Sequence, residues 1–491
     1  MTANNKMPTA DTDKEDAKEK VQLRREFGLI QGVAVIVGLV IGSGIYIAPT
    51  GVLRQVPSAG LALILWVLAG VVSTLGALTF AEIGTTIPIA GEKYAYLQLM
   101  YGDFVAFVQL WQYFLYCRPA ANVLKCIVFA TYVLKPVFQQ CETPSSVLNL
   151  IAICLLALFI YMNCSNVKLT AVVQTVFTFM TVTTLMIVIV ISWFYMGSGN
   201  TTFLSPSAAF EGVDNLSGSN IILGMYSAIF PYGGWSALNF MIEELKNPYK
   251  LLPRAIIISM TIICSIYVLV NIAYLAALGV DGVIASEAVV ISYGVATMGK
   301  WSMWIFAILI AINNLGSLNS GILIGSRLVF AGARNGHLPM CFGLIHTKYR
   351  TPIPAILLQF IVAVLMCLLI DLYDLLNQMI SLILLANFIT TVGIIRMRFK
   401  KPDIERPIKL PLIIPISYAM ITFSMLVIAL VIAPRRTGMG LLIVLSTAVP
   451  YYLLFVKDIF KSKTINRYSD NFMRFTQKML NAVLQEGEIA S

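Results

Sequence analysis

The chain has 491 residues, of which 58% are hydrophobic and only 12% charged, with a formal net charge of +10. A soluble protein carries about 25% charged residues, so a water-soluble enzyme or nucleic-acid-binding domain is excluded as the main body, and most of the chain belongs in lipid.

Residues 1–27 are polar and charged, carry no cleavable signal pattern, and read as a disordered cytosolic tail. A bilayer crossing needs roughly 20 mainly apolar residues. On that measure the sequence predicts twelve spans, at 28–50, 60–82, 104–135, 146–163, 168–196, 219–242, 254–278, 302–330, 353–370, 372–395, 411–433 and 438–456. The third and eighth are long enough to cross at a tilt.

Spans one and six are interrupted. The first contains Gly42-Ser43-Gly44 and the sixth Pro231-Tyr232-Gly233-Gly234. Gly and Pro break the helical hydrogen-bond ladder. In lipid, the freed N–H and C=O groups must be buried in protein or line a watery cavity. Small residues at one break are explained equally well by close helix packing. Two breaks five spans apart instead point to a secondary transporter's substrate site. The break in span one would present N–H groups at a half-helix N-terminus, attractive to a carboxylate. The break in span six would present carbonyls to an ammonium. Phe230, Tyr232 and Trp235 flank it as an apolar lid, or as ordinary packing residues.

With both termini placed in the cytosol, the outer loops hold only Arg54, Lys135, Lys300, Arg435 and Arg436, and the densest basic run, Arg396 through Lys409, is an inner loop. This positive-inside asymmetry accounts for the net charge through topology and membrane lipids, with no nucleic acid needed. Of eight cysteines, Cys141 alone falls in an outer loop, where an intermolecular disulfide and a free thiol are both open. The outer loops also carry two glycosylation triplets, at Asn200 and Asn215.

Charges within spans are costly. Arg118 and Lys125 lie inside span three. Glu82, Glu243, Glu244 and Arg327 lie at inner span ends, where snorkelling or structural ion pairing is expected, with a Glu243–Arg327 type of pair as a candidate inner gate. The only histidines, His337 and His346, follow span eight, and no hydrolase, metal or P-loop motif occurs. No enzyme, cofactor or metal is expected.

The landmarks Val37-Gly38-Leu39-Val40-Ile41-Gly42-Ser43-Gly44-Ile45-Tyr46, Arg118-Pro119-Ala120-Ala121, Tyr232-Gly233-Gly234-Trp235, Glu243-Glu244-Leu245-Lys246-Asn247-Pro248 and Glu405-Arg406-Pro407-Ile408-Lys409 resemble the light chains of the heteromeric amino-acid transporters. These belong to the amino acid–polyamine–organocation superfamily with its LeuT-like fold. The resemblance covers residues 25–460 and is greatest to the L-type, large-neutral branch. It implies an all-α membrane protein of 12 transmembrane helices, a LeuT-like 5+5 inverted repeat with helices 1 and 6 broken. The implied division is 28–196 as the first repeat, 197–218 as an extracellular loop, 219–395 as the second repeat, 396–456 as an inner loop with spans 11–12, and 457–491 as a cytosolic tail.

Functionally, the resemblance implies sodium-independent, obligatory exchange of neutral L-amino acids at the plasma membrane, beside a single-pass type II glycoprotein heavy chain. The family's linking cysteine falls on Cys141. Val40, Ser43 and Gly44 fall on the carboxylate site, and Phe230, Pro231 and Gly233 on the amino-group site, with Phe230 as a gate. Leu39, Trp235 and Ser236 fall on the side-chain pocket. The chain departs from the family at Ala90-Gly91-Glu92, at Thr181 where relatives often carry a lysine, at Ser236, at Leu39, and at Leu384 or Leu385 where an aromatic is usual. A proton-coupled or uniporting amino-acid or polyamine carrier, and a transport-inactive sensor subunit, are the alternatives.

Overall fold

The computed structural model describes residues 26–42, 44–134, 144–199, 205–213, 216–286, 288–369, 372–432, 434, 438, 442, 444–456 and 463–484. Ser43, Cys141, the triplet residues Asn200 and Asn215, and the tail 1–25 lie outside the described residues.

Among the described residues the fold is helical apart from one two-stranded sheet and an isolated bridge between Phe27 and Leu245. Span one is split into α1 (Leu29–Val40) and α2 (Gly44–Gln55), which meet at 44°. α3 (Ala59–Thr86) forms span two, and α4 (Lys93–Tyr101) follows it. Span three combines α5 (Asp103–Trp111), a π-helical stretch Gln112–Cys117 and α6 (Arg118–Leu134). α7 (Ser145–Ser165) and α8 (Val167–Gly197) complete the first five spans, and a short turn, α9 (Pro206–Ala209), lies beyond them.

The predicted sixth span at 219–242 is not one helix. α10 (Gly218–Ile229) gives way to a 3-10 turn at Phe230–Tyr232, and after Gly233–Ser236 a second 3-10 stretch runs from Ala237 to Glu244. α11 (Pro248–Ala285), α12 (Val289–Met298), α13 (Ser302–Arg334), α14 (Ile353–Leu369), α15 (Leu372–Lys400) and α16 (Ile413–Ile432) follow. In the predicted twelfth span, the described residues show α17 (Ala448–Tyr451) and a π turn, Tyr452–Val456. α18 (Lys463–Leu480) leads into β2 (Ala482–Leu484), which pairs antiparallel with β1 (Leu344–His346).

Among the described residues, eight helices are each long and apolar enough to cross a membrane, and α1 with α2 makes a ninth as one broken span. The twelve-span count exceeds this because the sixth candidate is broken, the ninth, α14, is a shorter apolar helix, and the twelfth is described only in part.

The interior is organised around α13, the most enclosed span, which packs on α1, α6, α8 and α14. Its buried face is polar: Asn313, Asn314, Ser317, Asn319 and Ser320 are all buried. Each must find a partner, because an unpaired polar group inside costs about 1–3 kcal/mol. They find it partly on span one and span five. Ser320 Oγ donates to Val35 O, Ser317 Oγ to Leu39 O, and Asn319 Nδ2 to Gln174 Oε1. Gln174 and Thr178 in turn both donate to Ala34 O. Thr181 donates to Asn313 Oδ1 at 2.9 Å, and Asn313 bonds Tyr46 of α2.

Candidate functional site

The two breaks face each other. A Cβ added to Gly44, the first residue of α2, would lie 2.9 Å from Pro231 Cα, so only glycine allows this approach. Gly234 has φ +109°, a backbone that L side chains rarely adopt. A Cβ there would meet Leu39 Cδ2 at 2.9 Å. The two clusters therefore keep span one and span six in backbone contact.

A tyrosine that sequence reading did not single out joins the breaks. The hydroxyl of Tyr267, in α11, lies 2.9 Å from Val40 O and 3.1 Å from Pro231 O. These are carbonyls that the breaks release from helical bonding. The Tyr267 ring packs edge-on against Trp66 of α3 and beside Tyr232, whose own hydroxyl donates to Trp66 O. One buried aromatic triad thus ties spans one, two, six and seven together at the level of the breaks.

Beside the breaks lies a cavity of about 250 Å³. Drug-sized ligands occupy pockets of about 300–1,000 Å³, so this one is scaled to a smaller molecule. Of the residues assigned from sequence, Leu39, Val40, Gly44, Phe230, Pro231, Gly233, Trp235 and Ser236 all line it, as does Leu384. Phe230 is 42% exposed, whereas Trp235 is held edge-on between Phe80 and Tyr418. Thr181 instead belongs to the buried hydrogen bond with Asn313 described above.

The cavity also receives three cations. Arg118 bonds the Tyr113 hydroxyl and lies over its ring, 4.8 Å from the centroid, while its Nε finds no acceptor among the described residues. Lys125 donates to Ser317 O of α13 at 2.9 Å. Lys93 pairs with fully buried Glu92 at 3.0 Å. Composition and motif spacing had marked Arg118 and Lys125 only as intramembrane charges. The cavity position of Lys93 carried no sequence signal, because it lies beyond the predicted end of span two. The π-helical stretch immediately before Arg118 widens the turn there, a distortion often found at functional sites.

Carboxylate–guanidinium pairs tie together the span ends expected to be inner, with partners other than the expected Glu243–Arg327. Glu244 pairs with Arg327, Glu243 with Arg334, and Glu82 with Arg398. The register at Glu243-Glu244 decides this: Glu244 points into the packed interior, and Glu243 toward the partly exposed end of α13. His337 packs inside this face, its Nδ1 2.8 Å from the Tyr94 hydroxyl.

Residues 27–456 match the family model described as amino acid permease. The chain is 39% identical over 469 residues to the large neutral amino acids transporter small subunit 2 of Rattus norvegicus, covering 95% of this chain and 88% of that protein. It is 35% identical to the cystine/glutamate transporter of Homo sapiens, covering 99% and 96%, and 34% identical to the Asc-type amino acid transporter 1 of Mus musculus, covering 96% and 89%. With two opposed helix breaks on one cavity and a family match over nearly its whole length, the chain belongs to the amino acid permease family.

Proposed function

We propose that the chain is the light subunit of a heteromeric transporter that exchanges neutral L-amino acids across the plasma membrane without sodium, by alternating access through twelve spans arranged as two inverted repeats. The observation that carries this reading is the single cavity walled by both breaks. The N-terminus of α2 takes the substrate carboxylate, with Val40, Ser43 and Gly44 as its frame, and the carbonyls around Phe230, Pro231 and Gly233 take the ammonium. Leu39, Val72, Trp235, Leu384 and Met425 give the side-chain end an apolar wall, which suits an aliphatic or aromatic substrate at roughly 0.8 kcal/mol per buried methylene.

The repeats would span 28–196 and 219–395, with both termini cytosolic. Cys141 would carry the disulfide to a single-pass type II glycoprotein heavy chain, a role supported by relatives named as small subunits. Sodium independence fits the site chemistry. Thr181 is spent on Asn313, and no carboxylate from spans one, five or eight lines the cavity, whereas a hard cation wants several oxygen ligands.

Uptake and trans-stimulated efflux in reconstituted vesicles test the proposal. Efflux of loaded leucine should require an amino acid outside and survive replacement of sodium by choline. Efflux into amino-acid-free buffer, or loss of uptake in choline, would reject it.

A second reading, a substrate bearing an additional carboxylate, is favoured by one observation: Arg118 and Lys125 both reach the cavity, and among the described residues neither forms an ion pair with a carboxylate. A relative is named for cystine and glutamate. In the neutral reading these cations are engaged internally, Arg118 with Tyr113 and Lys125 with the Ser317 carbonyl.

A further inference from the structure

α18 lies outside the transport site, and its C-terminal end is fixed to the body of the fold. Its C-terminal end is stitched to the loop between α13 and α14. β2 pairs with β1, and Thr347 donates to Asn481 O from both its backbone N and its Oγ1, at 3.0 and 3.1 Å. Its N-terminal end follows the segment that ends at Val456. On the positive-inside topology both attachments are at the inner membrane face. The helix has 18 residues, about 27 Å at 1.5 Å per residue, long enough to run along that face.

The helix presents three stripes. Thr476 is buried, and this side packs on the Met340–Gly343 turn and on α14. Phe472, Phe475 and Met479, spaced three and four apart, share a second face and are 52%, 58% and 60% exposed. Arg467, Arg474 and Lys478, spaced seven and four, share a third face and are exposed. Within 463–480 the only acid is Asp470. Exposed Met340 and Tyr349, with Lys348 beside the Tyr349 ring, continue the apolar and basic surface onto the neighbouring loop.

Two large aromatics and a methionine beside a basic stripe, on a helix tethered at the inner end of the spans, have the make-up of a helix that sits in the lipid interface. We infer that α18 docks on the inner leaflet, with Phe472, Phe475 and Met479 entering the acyl boundary and Arg467, Arg474 and Lys478 holding anionic phospholipid headgroups. The partner is a lipid surface rather than a protein because the apolar stripe and the basic stripe adjoin, as acyl chains and headgroups do at the interface, and the pinned C-terminal end keeps both beside the inner face.

Hydrogen exchange of the full chain in nanodiscs tests this, with phosphatidylcholine alone compared with phosphatidylcholine plus phosphatidylserine. Amides of residues 467–480 should exchange roughly tenfold or more slowly with phosphatidylserine present, and added salt should weaken the difference. The variant Arg467→Gln/Arg474→Gln/Lys478→Gln should lose the phosphatidylserine effect, and Phe472→Ser/Phe475→Ser should speed exchange in both lipids. Unchanged exchange across Ser302–Arg334 controls for folding of the variants. Wild-type exchange indifferent to phosphatidylserine would overturn the inference. So would protection that follows the number of transporter copies per disc, or an added protein, instead of the lipid.

Discussion

Arg327 grips Glu244 with both arms of its guanidinium, Nε to Oε1 at 2.6 Å and Nη2 to Oε2 at 2.9 Å, and neither side chain reaches solvent. The pair fastens the end of broken span six to span eight. Beside it, Phe27 N donates to Glu244 O and Lys246 N to Phe27 O, so the entry to span one is bound at the same point. A buried ion pair contributes little net stability relative to apolar packing, but removing one partner strands a charge and costs about 3–5 kcal/mol. Glu244→Gln should therefore lower the detergent-solubilised melting temperature sharply, and Glu244→Met/Arg327→Met should recover much of the loss. Equal melting of Glu244→Gln and wild type would show that the pair is idle.

The approach of Gly44 to Pro231 yields a second expectation. Gly44→Val would force branched carbons into a space where even a Cβ lies 2.9 Å from backbone. Overpacking of this kind typically costs about 1–3 kcal/mol, tolerable for folding. At the contact itself it would pry the two breaks apart. Transport should be abolished while surface protein, measured by biotinylation, remains. Wild-type uptake by this variant would remove the first break from the substrate site.

What could be read from sequence follows from what lipid forces on a chain. Long apolar runs announced α3, α7, α8, α11 and α13 because each must satisfy its backbone alone. The two breaks were legible because Gly and Pro clusters are costly in a span unless the freed groups are used. Side-chain partners were not legible. Glu243 and Glu244 are adjacent, and only packing decides which one faces Arg327. Tyr267 sits in an otherwise ordinary apolar span, and its bridge to Val40 and Pro231 depends on three helices meeting. Lys93 reaches the cavity because Gly91 and Glu92, both at positive φ, turn the chain back before α4. No spacing rule encodes that turn.

Cys141 yields the partner test. If it bonds a heavy chain, co-expressed wild type should run as a reducible high-mass species on non-reducing gels, and Cys141→Ser as the monomer. Uptake should persist in the variant where noncovalent contacts hold the two chains together. Absence of any reducible heteromer with wild type would reject the covalent link.

His337 should make the end of the fold that holds the ion pairs sensitive to acid. Burial holds its pKa below the ordinary 6.5, with Asp103 opposing only in part. The geometry fits a neutral ring: Nδ1 takes the Tyr94 hydroxyl at 2.8 Å, leaving Nε2 toward Asp103 Oδ1 at 3.8 Å. Because the folded pKa is depressed, the unfolded chain binds more protons between the folded value and about 6.5. The stabilisation is complete above that upper value and falls as pH drops through the folded pKa. Melting temperature should thus decline below about pH 6.5, and His337→Gln should flatten that part of the profile. A wild-type melting curve that is level from pH 7 to 5 would contradict the assignment.

The cations of the cavity decide the substrate class. Lys125 anchors span three to the Ser317 carbonyl, and Ser317 Oγ reaches Leu39 O at the end of α1. In the neutral reading this ammonium is a strut. Lys125→Met should lower the maximal rate by loosening α13 against the first break, yet leave leucine and phenylalanine better competitors than glutamate, as in wild type. In the anionic reading Lys125, with Arg118, is part of the side-chain site. Glutamate would then compete with leucine on equal terms in wild type, and Lys125→Met or Arg118→Leu would remove glutamate alone. Side-chain chemistry separates the two quantitatively. Losing a charge-assisted hydrogen bond costs about 1.5–3 kcal/mol, roughly ten- to a hundredfold in the affinity of an anionic substrate, whereas a neutral side chain that never touches the ammonium should shift far less. Competition curves for leucine, phenylalanine and glutamate on the three proteins in the same vesicles give the answer, and glutamate selectivity in wild type would overturn the neutral assignment.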